Sequence, residues 1–389
     1  MAEKELFTHE LDFTADGSLA EAVRALPAAA GVCLFVSREN QPILLLYGAD
    51  LRSLVRNRLE EDDPQQKSRR IPLRPITTKI RYRRTWSHFE TELLYFQAVR
   101  TLFPDRFHEF FPTLDAWFIR VNPSADYPGF ERVNHIGKDS ASYWGPFSNR
   151  KSAGCFLEIV QDLFDLCRHP EILAQAPIAN SCAYAQIGRC GGVCNGTISR
   201  EKYLDVVRQA IEFLNQPLED KLEEWKSQMK QWALDRKYEL AQDVKLKMER
   251  AETLRAPAYR WVMPIHNFYI LCFQTGPKLK VEGQRQLQPT VTPFLVGPGW
   301  IRQIEQFLLP DVLQGVKTLE DHLHFMLLQR TDQDISKPDW LLMAWVSRFL
   351  YRHSYSKRQY DNGLYLRADE FREPDRLAGK ILACFTPKN

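Results

Sequence analysis

Four cysteines lie close together in the middle of the sequence, at spacings that suit a metal centre. Three fall within SCAYAQIGRCGGVCNG and one lies upstream in LFDLCRH; they are Cys167, Cys182, Cys190 and Cys194. Thiolates are preferred ligands of zinc and of iron–sulfur clusters, and the intervening glycines let the backbone turn tightly around a ligand. The residues alone are compatible with both zinc and an iron–sulfur cluster. Isolated cysteines are more often buried free thiols, but the spacing and the glycines favour a metal centre here.

A second group that could do chemistry is a basic run within residues 64–89, a stretch with no acidic residue. Lysine and arginine neutralise phosphates and give affinity for nucleic acid without sequence preference. Tyr82 and Trp86 lie in the same stretch and could stack on unpaired bases. A solvated loop is the alternative interpretation, and we predict nucleic-acid contact. The predicted contact residues are Lys67, Arg69, Arg70, Arg74, Lys79, Arg81, Arg83 and Arg84.

The first hundred residues contain the elements of a small α/β unit. Two apolar, β-prone runs at residues 31–38 and 41–48 are separated by the turn-like pair Glu39-Asn40, which predicts a β-hairpin. Leucines and a valine then recur at helical spacing over residues 51–59. A second amphipathic helix is predicted within residues 90–103.

The rest of the chain is predicted to alternate between sheet and helix. Residues 115–147 are rich in proline, glycine and aromatic side chains, which indicates strands and turns. Residues 218–254 are rich in Lys, Glu, Leu and Met, which predicts a helical hairpin or coiled-coil-like arm. Further helices are predicted over residues 153–166, 199–215, 300–309, 318–328 and 340–351, and a strand over 267–274.

Composition limits the class of protein. The chain has 389 residues, 44% of them hydrophobic and 12% aromatic, which is enough for two or three domain cores and excludes a disordered or collagen-like chain. The net charge is only +3, so affinity for nucleic acid must come from a local concentration of charge. No apolar run reaches the length of a membrane helix and the first residues are charged, so we expect a cytoplasmic protein with reduced thiols.

At two places the sequence resembles the UvrC-type excinuclease subunits. CAYAQIGRCGGVCNGTISREKY resembles the cysteine segment of that family, and YWGPF at residues 143–147 resembles its YFGPF signature. The resemblance covers roughly residues 20–255, and the cysteine segment is its most specific part. In the family this segment follows a GIY-YIG nuclease domain and binds an iron–sulfur cluster. The resemblance therefore implies a 4Fe–4S cluster on the four cysteines, with zinc as the alternative.

The implied fold is a multidomain α/β and α+β chain. Residues 1–112 would form a small GIY-YIG-like α/β domain, residues 113–198 linker strands and the four-cysteine segment, and residues 199–255 a helical arm with a UVR-like motif. Residues 256–389 would form a C-terminal α/β domain, in which an RNase H-like remnant is one interpretation. The first strand of that domain, NFYILCF, lacks the Asp that such a nuclease would carry there.

Compared with the family's signatures, the N-terminal domain lacks the residues that cut DNA. A GIY-YIG nuclease uses two tyrosines, an arginine and a glutamate that holds one divalent cation. Tyr47, Glu90 and Glu92 lie near the expected tyrosine and glutamate positions but on other faces of their elements. We therefore expect no catalytic residues and no bound Mg or Mn. The family positions, the asparagine position included, are occupied by Cys33, Leu44, Leu54, Tyr95 and Phe107.

The helical arm resembles the UVR motif, through which the family contacts the helicase UvrB. The residues in the expected helical places are Met229, Ala233, Tyr238, Glu239 and Met248. The alternative is an ordinary antiparallel helix pair that packs on its own domain.

The resemblance predicts a UvrC-like DNA-binding protein of nucleotide excision repair, with an inactive nuclease site, that acts through DNA and a UvrB-like partner. One alternative is an active, metal-dependent, structure-specific DNA endonuclease. Another is a protein-interaction module that does not bind DNA.

Overall fold

The computed structural model describes residues 3–13, 18–60, 71–137, 139–328, 339–355, 363–367, 370–371 and 373–386. Over these residues the chain is a mixed α/β structure with three antiparallel sheets, in its N-terminal, middle and C-terminal parts. The expected mixed α/β class is confirmed. None of the described helices combines the length and the apolar character that a membrane span requires.

The N-terminal part is a four-stranded antiparallel sheet flanked by helices. Its strands are β1 (His9–Asp12), β2 (Gly31–Val36), β3 (Pro42–Gly48) and β4 (Lys79–Arg84), in the order β1-β4-β2-β3. Its helices are α1 (Glu3–Leu6), α2 (Leu19–Ala25), α3 (Leu51–Leu59), α4 (His88–Leu102) and α5 (Phe107–Phe110). The predicted hairpin is confirmed as β2 and β3, and the two predicted helices as α3 and α4.

Strand β2 lies inside this sheet because it is apolar on both faces and buried along its whole length. Val32 and Leu34 pack in the core that contains α4. Cys33 and Phe35 alternate with them and pack in a separate core with α2 and α3. The sheet therefore has two covered faces, an α4 face and an α3 face, on which any site must be built.

The middle part is a second antiparallel sheet covered by helices. Its strands are β5 (Trp117–Val121), β6 (Glu131–Val133), β7 (Ser142–Phe147) and β8 (Met263–Pro264), in the order β6-β5-β7-β8. The helices are α6 (Arg150–Phe164), α7 (Pro170–Leu173), α8 (Ala183–Gln186) and α9 (Arg200–Asn215). Asn149 caps α6 by accepting a hydrogen bond from the Ser152 N–H, and the apolar face of α6 packs on this sheet.

The predicted helical hairpin is confirmed as α10 (Leu218–Leu234) and α11 (Tyr238–Glu252). Trp225 of α10 stacks on Phe213 of α9, with 5.6 Å between the ring centroids. Lys247 of α11 lies 5.0 Å from the Trp225 ring. These contacts fix the base of the arm to the middle part of the chain.

The C-terminal part is a five-stranded antiparallel sheet with helices on it. Its strands are β9 (Ile270–Thr275), β10 (Thr290–Val296), β11 (Ile301–Gln303), β12 (Phe307–Leu308) and β13 (Leu364–Arg367). The strand order is β11-β10-β9-β13, and β12 also pairs with β10. The helices are α12 (Val312–Leu328), α13 (Trp340–Tyr355) and α14 (Pro374–Phe385).

The helix predicted over residues 300–309 is wrong, because the chain there forms the two short strands β11 and β12. Ile301 pairs with Val296, and Phe307 pairs with Val291. Both strands add to β10, so long-range pairing overrides the local helical pattern.

The N-terminal and C-terminal parts share one apolar core. Phe89 in α4 lies 5.3 Å from the ring of Trp345 and 5.1 Å from that of Phe349, both in α13. Its ring is also 5.3 Å from Phe294 in β10. Helix α4 is therefore held between its own sheet and the C-terminal part.

Candidate cysteine centre and nuclease-like site

The cysteine segment follows a compact path because several of its residues adopt left-handed backbone angles. Helix α6 ends at Asp165, whose φ of 48° turns the chain before the buried Cys167. Gly188, Gly192 and Gly196 have φ values of 71°, 71° and 77°. Residues other than glycine rarely adopt these angles, so the glycines let the segment coil around its own sulfur atoms.

The structure brings the four predicted cysteines together. The Cys167 thiol donates a hydrogen bond to the His169 carbonyl oxygen, with 3.5 Å between Sγ and O. Its interaction with the neighbouring Cys190 sulfur lowers the pKa of Cys190 and raises that of Cys167. Burial raises the pKa of Cys194, and the neighbouring Cys190 and Cys182 raise it further. The four cysteines therefore lie near one another in the fold.

This group of donors fits a sulfur-ligated centre. Three of the cysteines are buried, Cys182 is half-buried, and all four are free thiols. In the described residues, no three Cys, His, Asp or Glu side chains lie close enough together to bind a single metal ion. Cysteine thiolates are ligands of both zinc and iron–sulfur clusters, so this donor set suits either centre.

The family positions of the nuclease site are divided between the two faces of the N-terminal sheet. Cys33, Leu44 and Leu54 lie in the core on the α3 face. Tyr95 and Phe107 lie in the core on the α4 face. Residues on opposite faces of one sheet do not line one cleft, so the structure does not bring these five positions together.

Tyr95 lies in a cluster of aromatic rings. Its ring centroid is 4.5 Å from that of Tyr47, 5.8 Å from that of Phe111 and 6.3 Å from that of Phe110. Burial raises the pKa of Tyr95 to about 12, with a further contribution from Tyr47. Tyr47 reaches the α4 face because it lies two positions after Leu45 on β3, as the expected alternation of the strand requires.

The two carboxylates near Tyr95 in sequence both have structural partners. Glu90 accepts a hydrogen bond of 2.8 Å from the Trp86 N–H, and burial raises its pKa. Glu92 is 7% exposed, and its Oε1 lies 2.9 Å from the Nε2 of His88. Both side chains therefore hold the first turn of α4.

Only part of the predicted basic stretch lies in the described residues. Lys67, Arg69 and Arg70 lie outside them, and Arg74 is half-buried. Residues 79–84 form β4, an inner strand between β1 and β2. This half of the stretch is therefore a strand and not a loop, because β1 pairs along it.

Strand β1 also neutralises part of the basic charge. Glu10 lies 2.6 Å from the Lys79 Nζ and 2.7 Å from the Arg81 Nε, and these contacts lower the pKa of Glu10. Arg84 is exposed, and its guanidinium lies 3.7 Å from the centroid of the Trp86 ring. A positive surface remains, but it is smaller than the sequence suggests.

The predicted partner residues are divided between the base and the tip of the arm. Met229 and Met248 are half-buried against the core of the middle part. Ala233, Tyr238 and Glu239 are exposed at the tip. The sequence analysis missed Leu234 and Leu240, which are 78% and 44% exposed at the same tip. Apolar residues on both sides of the hairpin turn were the signal that could have identified them.

Residues 116–213 of the chain match the family model described as UvrC/Cho excinuclease, middle domain. The protein named UvrABC system protein C of Desulfatibacillum aliphaticivorans is 35% identical over 126 residues, which are 32% of this chain and 20% of that relative. Proteins of the same name from Trichlorobacter lovleyi and Caldicellulosiruptor saccharolyticus are 27% and 25% identical over 57% and 61% of this chain.

The chain is similar to UvrC-type proteins over the matched ranges. The aligned part spans only 20% to 40% of the length of these relatives. No solved structure matches the UvrC-like chain. The matched middle-domain range contains β5, β6, β7, the four cysteines and most of α9.

Proposed function

We propose that this UvrC-like chain binds DNA in nucleotide excision repair and that its nuclease-like site does not cut DNA. The middle-domain match and the curated relatives support the assignment to repair. One observation carries the loss of cutting. Aromatic rings surround Tyr95, which occupies the position of the family's metal-binding glutamate.

Electrostatics favours an inactive site. A divalent cation needs an anionic anchor before it can lower the pKa of the attacking water and offset charge on the leaving oxygen. A tyrosine hydroxyl is neutral at physiological pH, and burial, which raises the pKa of Tyr95 to about 12, keeps it neutral to higher pH. Glu90 and Glu92 are already bound at the start of α4. Loss of such stabilisation costs on the order of several kcal/mol, which is orders of magnitude in rate.

The proposed DNA contacts are the basic residues of β4 and its neighbours. Glu10 offsets part of the charge of Lys79 and Arg81, and Arg84 is exposed with its guanidinium over Trp86. A net positive surface that carries an exposed arginine on an aromatic ring suits phosphate contact next to a stacked base.

Replacement of Arg81, Arg83 and Arg84 together by Ala tests the proposed DNA binding. If they track phosphates, affinity falls for all sequences alike, and the slope of log affinity against log salt flattens by about one unit per lost contact. Fluorescence anisotropy with labelled duplex DNA measures both quantities. The matched control replaces three exposed basic residues of α9 and α10, which are Arg208, Lys226 and Lys230. A slope that is equal in the two triple variants would contradict contact through β4.

A 4Fe–4S cluster on Cys167, Cys182, Cys190 and Cys194 forms part of the proposal. The grouping of four free thiols and the left-handed glycines around them support it. Such a cluster, when bound, contributes its binding energy to the folding of the segment. Tyr203 packs beside the cysteines, and its hydroxyl donates a hydrogen bond of 2.7 Å to the Pro128 carbonyl oxygen.

The proposed protein partner is a UvrB-like helicase that binds the tip of the arm. Contacts of Trp225 and Lys247 hold the base of the arm, so the tip is presented on a fixed support. Leu234, Tyr238 and Leu240 are exposed near the turn between α10 and α11. Exposed apolar residues grouped at such a tip suit a protein interface.

A further inference from the structure

A polar cleft of about 550 Å³ lies between the middle sheet, helix α6 and the cysteine segment. Its volume is in the range of ligand-binding sites in proteins. Among the described residues, none of those predicted from the sequence to contact DNA lines it. Its principal lining residues are Trp117, Arg132, Arg150, Glu158, Arg168 and Tyr184. We refer to it as the arginine cleft, after Arg132, Arg150 and Arg168.

The arginine cleft carries more positive than negative charge. Within the described part of the chain, no carboxylate lies in ion-pair range of Arg132 or Arg150. Arg168 pairs with Asp162, and its Nε is buried with no hydrogen-bond partner among the described residues. The lining carboxylate Glu131 is bound by Arg120. This leaves Glu158 as the one carboxylate of the described lining without an ion pair.

The guanidinium group of Arg132 lies against the backbone at the start of α6. The Nη1 of Arg132 lies 3.5 Å from the carbonyl oxygen of Arg150. Arg132 also lies directly over Gly154 in α6, since a Cβ added at that glycine would be 2.4 Å from the same nitrogen. Glycine weakens a helix interior, and here it makes space for the guanidinium. Guanidinium groups that line one cleft repel each other, and a bound anion would relieve this repulsion.

Aromatic rings lie beside two of the guanidinium groups. Arg150 lies 5.6 Å from the ring centroid of Trp117, and Arg168 lies 4.8 Å from that of Tyr184. Tyr184 is 37% exposed. Arginines for phosphates beside rings for bases are the combination that proteins use to bind single-stranded nucleic acid.

We propose that the arginine cleft binds the phosphates of a DNA strand. The ligand class rests on the proposed DNA-binding function, whereas the site rests on the cleft itself. Arg132 and Arg150 are exposed at its mouth, which suits a polymer that crosses the surface better than an enclosed metabolite. Arg168 directly follows Cys167, and Tyr184 lies two positions after Cys182. The cysteine centre therefore positions one wall of the DNA site.

The test measures binding of a labelled single-stranded oligonucleotide by fluorescence anisotropy over a series of salt concentrations. The double variant Arg132→Ala, Arg150→Ala is expected to bind more weakly. Its slope of log affinity against log salt should flatten by about 1.4 units, at roughly 0.7 for each lost phosphate contact. The matched control Lys151→Ala, Lys202→Ala removes two exposed charges outside the cleft and should leave the slope unchanged.

A second variant alters the position of Arg132 in the same cleft without removing a charge. Gly154→Ala places a methyl group against the flexible end of Arg132, so it should displace the guanidinium and flatten the slope by about 0.7 units. Circular dichroism and the thermal unfolding midpoint identify any variant that fails to fold.

The outcomes separate the cleft from the proposed function. Wild-type protein that binds no DNA would overturn both. Wild-type binding that both the double variant and Gly154→Ala retain with an unchanged slope would overturn the cleft alone. A third arm uses ATP as a free phosphate ligand. If the double variant loses ATP binding but keeps DNA binding, the ligand is a free nucleotide and the assignment to a DNA strand is wrong.

Discussion

The surroundings of Tyr95 and the arginine cleft differ in whether their charged groups are balanced by partners of opposite charge. Around Tyr95 the rings of Tyr47 and Phe111 fill the α4 face, and the nearby Glu92 is bound by His88. In the arginine cleft, guanidinium groups gather with few carboxylates to balance them. A sheet and a helix can be held together by apolar packing alone, so a fold persists where its charged chemistry is absent. Grouped charges with few counter-charges stabilise a fold poorly, and so they indicate a ligand.

Replacement of Cys190 gives the largest expected effect, because it removes the support of one wall of the arginine cleft. Cys190→Ala should lose iron and sulfide and unfold the cysteine segment, since metal-binding energy on the order of 10 kcal/mol is folding energy at such sites. Metal analysis, visible absorption and thermal unfolding of protein purified without oxygen measure this. The control is Cys155→Ala, which alters an exposed cysteine outside the group.

Two results would change this part of the account. Stoichiometric zinc without iron in the wild-type protein would overturn the cluster but leave the site. Full iron content in Cys190→Ala would remove that residue from the ligand set.

The tip of the arm tests whether exposed apolar residues, unlike those around Tyr95, serve a partner. Leu234→Ser and Tyr238→Ser together should lower the affinity for purified UvrB at least tenfold, because exposed residues of this kind carry binding energy at interfaces. Both side chains are exposed, so the free energy of unfolding should change by no more than about 0.5 kcal/mol. Isothermal titration calorimetry measures the affinity, and Lys230→Ser on α10 is the control. Equal affinities would leave the arm as an ordinary helix pair.

The stability of the protein at alkaline pH tests whether Tyr95 is a neutral phenol that packs against its neighbours. Its pKa is raised to about 12, whereas an unfolded tyrosine titrates near 10. Between these pH values the unfolded state loses the proton and the folded state keeps it. The stabilisation is therefore fully present below about pH 10 and is lost as the pH rises towards 12. The effect is small because Tyr95 is only partly buried.

Tyr95→Phe is the matched variant for this measurement, because it has no titrating hydroxyl and keeps the ring. The free energy of unfolding, measured in urea at pH 8 to 11, should fall more steeply in the wild-type protein than in the variant. Parallel curves would mean that Tyr95 is solvated and that the α4 face is more polar than its contacts indicate.

The local sequence pattern was sufficient to predict the hairpin of β2 and β3, helix α4 and the two helices of the arm. Each is a run of regular periodicity bounded by turn or capping residues such as Asn40 and Ser87. The short strand β1, with the polar sequence HELD, carries no such signal. Its pairing with β4, and the neutralisation of Lys79 by Glu10, could not be predicted because the partners lie far apart in sequence.

Prediction of the sites has the same limit, because residues that lie far apart in the sequence cannot be grouped without the fold. The cysteine group could be predicted because three of its members lie in one short segment, and the fourth lies just upstream. The arginine cleft could not, because Arg132, Arg150 and Arg168 come from a strand, a helix and a loop and are brought together only by the fold. The positions of Cys33 and Tyr95 on opposite faces of one sheet also required the three-dimensional register of the strands.

The central claim, that this chain binds DNA through sites that do not cut it, is tested most directly by nicking of supercoiled plasmid DNA. Metal-replete wild-type protein is incubated with damaged plasmid and Mg or Mn, and the same samples are run under native and denaturing conditions. We expect retarded DNA on the native gel, no nicked product on the denaturing gel, and no rescue by Tyr95→Glu. Metal-dependent nicking that disappears in Glu90→Gln or Glu92→Gln would contradict the account, because a neighbouring carboxylate would then hold the cation.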